Sequence, residues 1–244
     1  MKAIKKPTVI ANWKMNFSKQ EVVTFCESLM RLGKDIRDTM LIASPSIYLG
    51  LLSSSFPGLH FAGQDVSLQQ NYGPFTGETS SSMLKSCGVD HAIIGHSERR
   101  ANNFENNITT KQKVENCFMA GITPIICFGE TLEIRQQGLH LEYLQSQLLE
   151  SVPSTAKDHS FILAYEPVWA IGSGITPSTE QLNEVYNCIM PVASSASLVY
   201  GGSINSNNVS MLHEVDHLDG LLIGGASLKS AEFIQIAEYW VTKC

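Results

Sequence analysis

A glutamate, a histidine, a lysine and an asparagine stand where short apolar runs give out. Glu166 closes "FILAYE" and opens "YEPVWAIGSG"; His96 follows the run in "AIIGHSERR"; Asn12 and Lys14 share "ANWKMN". Each type brings its own chemistry. A carboxylate between Tyr165 and Pro167, with Val168 and Trp169 next, gains basicity when its surroundings close and exclude water, so Glu166 reads as a general base. An acid merely paired to a nearby lysine fits the same residues. Ser97 and Glu98 look like a helix start, whose N-terminal dipole favours neutral imidazole at His96 over imidazolium. A neutral ring can donate one hydrogen bond to a carbonyl oxygen and polarise it, although a histidine after an apolar strand is often structural. Lys14 offers an anionic substrate a positive point charge; with Asn12 it also fits an ordinary solvated pair. Glu98 and Arg99 read as structural partners in ion pairs.

Glycines gather after other apolar runs: Gly172 and Gly174, then Gly201 and Gly202 with Ser203, then Gly224 and Gly225. Backbone N–H groups at strand-to-helix turns bind phosphate, and glycine lets the anion approach. Any one of these pairs could simply make a tight turn; their recurrence points to phosphate. No Walker A or GxGxxG pattern occurs, so a nucleotide is not indicated. "HEVDH" (213–217) matches a zinc-protease pattern, but the segment runs into "LDGLLIGG" too soon for both histidines to share a helix face. No metal or organic cofactor is expected.

The elements that must position these groups recur along the chain. Eight apolar, β-branched-rich runs begin at Thr8, Met40, Leu59, His91, Thr123, Phe161, Ser197 and Gly220, as expected for parallel strands covered on both faces. Between them, "SKQEVVTFCESLMRLGK" has Ser18 and Glu21 at capping-box spacing, a stripe through Val22, Phe25, Cys26 and Leu29, and Gly33 as a stop. "STEQLNEVYNCIM" repeats the spacing with Ser178 and Gln181, and "LEYLQSQLLESV" is amphipathic. "NNFENNITTKQ" reads as a polar loop leading into a helix. Eight βα units in one domain spanning 1–244 fit a closed (β/α)8 barrel, with sites at the C-terminal strand ends. Periodicity alone leaves an open doubly wound sheet as the alternative.

Hydrophobic content of 43% supports a sizeable core, and a formal net charge of −6 without a basic block argues against nucleic acid or an anionic membrane. Six scattered cysteines without a CxxC pair suit free thiols in a reducing cytosol, although an even count also permits disulfides. The basic start "MKAIKKPTVIANWKMN" is broken by Asn12 and Lys14 too early for a signal-peptide core, and no run approaches membrane-spanning length. A cytoplasmic protein is expected.

Together "ANWKMN", "GPFTGE", "AIIGHSERR", "YEPVWAIGSG", "YGGSI" and "DGLLIGGASL" resemble the triosephosphate isomerase family across nearly the whole chain. The resemblance implies a TIM barrel that interconverts dihydroxyacetone phosphate and glyceraldehyde 3-phosphate, in glycolysis and gluconeogenesis. It implies Glu166 as the base, His96 as the neutral electrophile, and Lys14 and Asn12 on the enediolate oxygens. Gly172, Ser203, Gly224 and Gly225 would hold the phosphate, and residues 167–176 would form a lid; the neutral histidine and the closing lid are known features of that family. It further implies a homodimer, with "GPFTGE" reaching into a second subunit and Thr76 near Asn12 of the partner subunit. This chain departs from the family's pattern at Ser173, at Ile175 near the end of the lid, and at Asn106 and Asn107.

Two other readings stay in view. Another phosphate-binding barrel enzyme would need a Schiff-base lysine in the later strands, where none stands, or inward His and Asp at several strand ends, where only His96 does. A non-catalytic protein on the same scaffold would not depend on Glu166.

Overall fold

The computed structural model describes residues 8–193 and 195–243; the basic start 1–7 and Cys244 lie outside them. Eight strands form where the apolar runs stand: β1 Thr8–Asn12, β2 Met40–Ser44, β3 His60–Gly63, β4 His91–Ile94, β5 Thr123–Phe128, β6 Ile162–Tyr165, β7 Ser197–Tyr200 and β8 Gly220–Ile223. All neighbours pair in parallel and in chain order. β8 returns to β1, with Thr8 opposite Gly220 and Ala11 opposite Ile223, so the sheet is closed and the open alternative is excluded.

The runs are continuously apolar because each strand buries both faces. Successive side chains alternate across the sheet. Ile10, Leu41, Ile93, Ile125, Ile162, Ala164, Val199 and Leu222 fill the barrel interior. Their neighbours Val9, Ala11, Leu163, Tyr165, Leu221 and Ile223 pack outward with Phe25, Leu148, Tyr186 and Trp240 from the surrounding helices. Polar residues therefore appear only where strands end, which is where the chemistry collects.

The helices follow their cues with one difference. Helix Lys19–Met30 begins after Ser18, whose N–H donates to the Glu21 carboxylate at 2.7 Å, and buries Val22, Phe25, Cys26 and Leu29. It stops before Gly33, because the N–H groups of Arg31 and Leu32 turn back onto Ser28 and Leu29; Gly33 instead opens a short second helix, Lys34–Arg37. Helix Thr179–Ala193 starts at the Ser178–Gln181 reciprocal pair (3.0 and 3.3 Å) and buries Leu182, Val185, Tyr186 and Ile189. The stretch "LEYLQSQLLESV" lies largely in helix His140–Ser151. The polar stretch after His96 leads into helix Asn107–Ala120, where Asn106 accepts from the N–H of Thr109 at 3.0 Å.

The helix that a zinc reading of "HEVDH" needs does not form. Val209–Glu214 is a 3-10 turn, Val215 is extended, and His217 sits at φ 62°. His213 stacks on Trp240 with ring centroids 4.3 Å apart.

Candidate active site

The mouth of the barrel at the C-terminal strand ends holds a cleft of about 260 Å³. Asn12, Lys14, His96, Glu166, Gly172, Ser203, Gly224 and Gly225 all line it, so residues spread over more than two hundred positions converge there.

Glu166 follows β6 and is 3% exposed. Its backbone N–H donates to Phe128 at 2.7 Å, continuing the β5–β6 pairing past the strand ends. The two loops touch so closely there that a Cβ on Gly129 would lie 1.8 Å from the Glu166 carbonyl oxygen. Its carboxylate accepts from the Ser97 N–H at 3.2 Å and lies 3.1 Å from Nε2 of His96. Burial pushes this carboxyl up, but the charge and hydrogen bond of His96, the Ser97 N–H and the more distant Lys14 together hold it below its ordinary value. The raised basicity expected from the sequence is thus absent in this arrangement, because the donors that quench it are still in place.

His96 caps the short helix Ser97–Asn102, with Nδ1 accepting the Glu98 N–H at 3.2 Å. A nitrogen that accepts carries no proton, so the backbone selects the neutral tautomer with hydrogen on Nε2, facing Glu166. Burial opposes charging the ring; Glu166, and less so Glu98, favour it and set its pKa above the ordinary value here. Moving the Glu166 carboxylate away would remove the main support for imidazolium and leave burial and the helix N-terminus against it.

Lys14 lies in the left-handed region, φ 52°, a conformation costing an ordinary residue about 1 kcal/mol. Two bonds offset this: its N–H donates to Asn12 Oδ1 at 3.1 Å, and its carbonyl accepts from Gln64 Nε2 at 2.9 Å, the same amide being held by the Ala43 carbonyl at 2.9 Å. The stem passes Gly224, whose built Cβ would lie 3.4 Å from Cε, and Nζ meets Glu98 at 2.6 Å. Glu98 is thus ion-paired, as its sequence context suggested; Arg99 likewise binds Asp65 and Glu105 at 2.9 and 2.6 Å.

Pro167 leads into a 3-10 turn, Val168–Ala170, and then into Gly172 and Gly174, both with left-handed φ (66° and 76°) that glycine adopts without strain. Ser203 ties this segment down: its hydroxyl donates to Ala170 O at 2.6 Å and accepts from the Gly174 N–H at 3.3 Å. Asn208 completes the clasp, donating to Thr176 Oγ1 and Ser203 O at 3.0 and 2.7 Å. Nothing about Asn208 in "NSNNVS" signals this, because its partner Thr176 lies 32 positions away. Glu130 is the other residue without a role readable from sequence. Fully buried, it accepts from Tyr165 Oη, from Trp169 Nε1 at 2.9 Å and from Arg135 at 3.2 Å.

Fold and cleft together define a (β/α)8 barrel whose mouth gathers a carboxylate, an imidazole, an ammonium and glycine-rich loops. The model of the family described as triosephosphate isomerase matches residues 7–240. A triosephosphate isomerase of Orientia tsutsugamushi (strain Ikeda) is 40% identical over 233 residues, covering 91% of this chain and 92% of the relative. One from Bartonella bacilliformis is 38% identical over 248 residues, covering 96% and 97%. The crystal structure of triosephosphate isomerase from Bartonella henselae superposes with a TM-score of 0.83 at 32% identity, covering 97% of this chain and all of that one. The chain belongs to the triosephosphate isomerase family.

Proposed function

We propose that this chain isomerises dihydroxyacetone phosphate to D-glyceraldehyde 3-phosphate and back, with Glu166 as the base, His96 as the electrophile, and Lys14 and Asn12 on the developing enediolate. The convergence of these four groups with the glycine loops in one small cleft carries the reading. The Glu166 carboxylate takes a proton from C1 of the ketone; the C–H electron pair becomes the enediol double bond and the carbonyl gains negative charge. The Nε2–H of His96 donates to that oxygen, and the ammonium of Lys14 stabilises it. The C1 hydroxyl proton passes to the C2 oxygen by way of Nε2 of His96, and Glu166 returns its proton to C2 as the C1 oxygen becomes the aldehyde carbonyl. Gly172, Ser203, Gly224 and Gly225 hold the phosphate, which brings the 167–176 segment down as a lid. Closure strips Glu166 of competing donors and keeps water from an intermediate prone to lose phosphate. A coupled assay with both triose phosphates tests the reading: turnover in both directions is expected, and none in either would refute it.

The working form is a homodimer. Beside the cleft lies a depression of about 620 Å³, lined by Asn12, Lys14, Gln64 and Glu98 among others, and Met15 at its edge is 95% exposed. Residues 70–77, including Thr76, are exposed apart from one half-buried position and project from the same end of the barrel; the same loop of a second copy would fill the depression. Sedimentation should find a dimer, and a monomer at working concentration would overturn the assignment. The enzyme works in a reducing cytoplasm. The five cysteines among the described residues are free thiols, and no helix among those residues is long and apolar enough to cross a membrane.

A further inference from the structure

Glu166 is a partition. It lines the substrate cleft and also a second cavity, of about 250 Å³, on the side of helix Ser97–Asn102. The second cavity's walls are mostly apolar, with Ala101, Phe128, the Tyr143 side chain and Val168, and its charged members are Arg100 and, on the side of the substrate cleft, Glu166.

The Arg100 guanidinium is largely withdrawn from water and bonded only to neutral acceptors. Nε donates to Gly95 O at 2.8 Å, Nη1 to Asn107 Oδ1 at 2.8 Å and Nη2 to Cys127 O at 3.4 Å. Asn107 brings no charge and spends its own amide N–H on Glu150, at 2.9 Å. The other half-buried or buried cations around the mouth each face a carboxylate: Arg99 and Lys113 meet Asp65 and Glu105, and Arg135 meets Glu130. Arg100 forms no such pair among the described residues. Burial holds it below its ordinary pKa, and Glu105 and Glu166 attract it only from a distance. A guanidinium has five N–H donors, so two remain for a ligand. A buried cation beside an apolar cavity selects an occupant with a carboxylate at one end and hydrocarbon at the other. The volume is below that of drug-sized sites, so the occupant is small.

We propose that this cavity binds a small organic monocarboxylate, of about the size of benzoate, whose carboxylate pairs with Arg100 while its body packs against Phe128, Tyr143 and Val168. Such an occupant touches the rear of Glu166 and the first apolar residue of the lid. It restrains both, and its charge makes a second anion at Glu166 harder to hold. The binding rests on the geometry of the cavity; its effect on turnover rests on the proposed role of Glu166.

Calorimetric titration of the intact enzyme with benzoate, alongside steady-state kinetics, tests this. Benzoate should bind, and the neutral isostere benzamide should bind at least tenfold more weakly. Saturating benzoate should lower kcat with KM little changed and move the acidic limb of the pH profile upward. Arg100→Met should weaken benzoate at least tenfold. Because Arg100 also braces Gly95 and Cys127, Ala101→Leu is the second variant: it fills the cavity, leaves the arginine in place, and should lose benzoate binding while keeping uninhibited turnover. Inhibition purely competitive with substrate would overturn the proposal, as would equal binding of benzamide, undiminished binding to either variant, or no binding to the parent. Binding that leaves turnover unchanged would overturn the coupling to Glu166 without touching the isomerase reading, which the uninhibited assay tests separately.

Discussion

Glu130 and Glu166 are both glutamates, both nearly inaccessible, and stand just past the ends of adjacent strands. Their surroundings give them opposite natures. Glu130 accepts from a phenol, an indole and a guanidinium, so its charge is fully matched and it has no reason to move. Glu166 has one backbone N–H, one imidazole and the neighbouring Cys127 thiol, and no lysine or arginine in direct contact. It is satisfied enough to be charged, and in the reaction proposed above its partners give way to a substrate. A buried carboxylate becomes an anchor or a base according to how many donors it can lose. The lid segment joins them: Trp169 hangs on Glu130 while Glu166 stands three residues before it.

That contrast can be broken most severely at Glu166. Glu166→Asp withdraws the carboxylate by one methylene, and misplacing a base by about 1 Å costs on the order of a hundredfold. Turnover should fall at least that far in the coupled assay, with the unfolding midpoint and sedimentation unchanged; unchanged turnover would remove Glu166 from its proposed role. Glu130→Gln tests the other half. It leaves Arg135 without its buried carboxylate and should destabilise the fold by roughly 3 kcal/mol, read from denaturant unfolding, while turnover drops only about tenfold. If Glu130→Gln hurt catalysis as much as Glu166→Asp, the distinction between anchor and base would fail.

The pH dependence sharpens the comparison. The Glu166 carboxyl is held below its ordinary value, so its share of stability is present above the unfolded-state pKa and is lost as pH falls through the lower folded value. The His96 pKa is raised, so its share is full below the unfolded value and is lost as pH rises through the folded one. Carbon-13 titration of Glu166 should give a midpoint below the usual carboxylate range. In His96→Asn, which removes the partner opposing burial most strongly, that midpoint should move up. A midpoint that stays put would mean the pair is not coupled.

Smaller effects belong to the lid's far end. Ser203→Ala removes the hydroxyl that bridges Ala170 and Gly174. At about 0.5 kcal/mol for each of the two bonds, one of them exposed, KM should rise about fivefold with kcat little changed. Ile175 is more than half exposed, so Ile175→Lys should change kcat/KM by less than about twofold; a larger change would show the departure "GIT" to be a working part of the hinge.

Much of this was readable along the chain, for local reasons. Parallel strands buried on both faces leave continuous apolar runs, and strand ends marked Asn12, Lys14, His96, Glu166 and the glycine loops. Closure was not readable, because whether Gly220 meets Thr8 is a relation across the whole chain. The supporting contacts were hidden for the same reason. Gln64 steadies Lys14 from 50 positions away, and Glu130 holds Trp169 across 39. The stop assigned to Gly33 failed because the backbone could close the first helix on itself three residues earlier. The basicity of Glu166 depends on which donors it has shed, a property of a state rather than of a residue type.

The central claim is that Glu166 carries a proton between adjacent carbons; closure keeps bulk water off the intermediate, but the proton on the carboxyl can exchange with solvent before it returns. Turning over dihydroxyacetone phosphate in deuterium oxide and examining the aldehyde product by proton NMR tests it directly. The account predicts deuterium at C2 in part of the product, formed at least a hundredfold more slowly by Glu166→Asp. Product that carries no deuterium at C2 and is formed as fast by Glu166→Asp as by the parent would contradict the account.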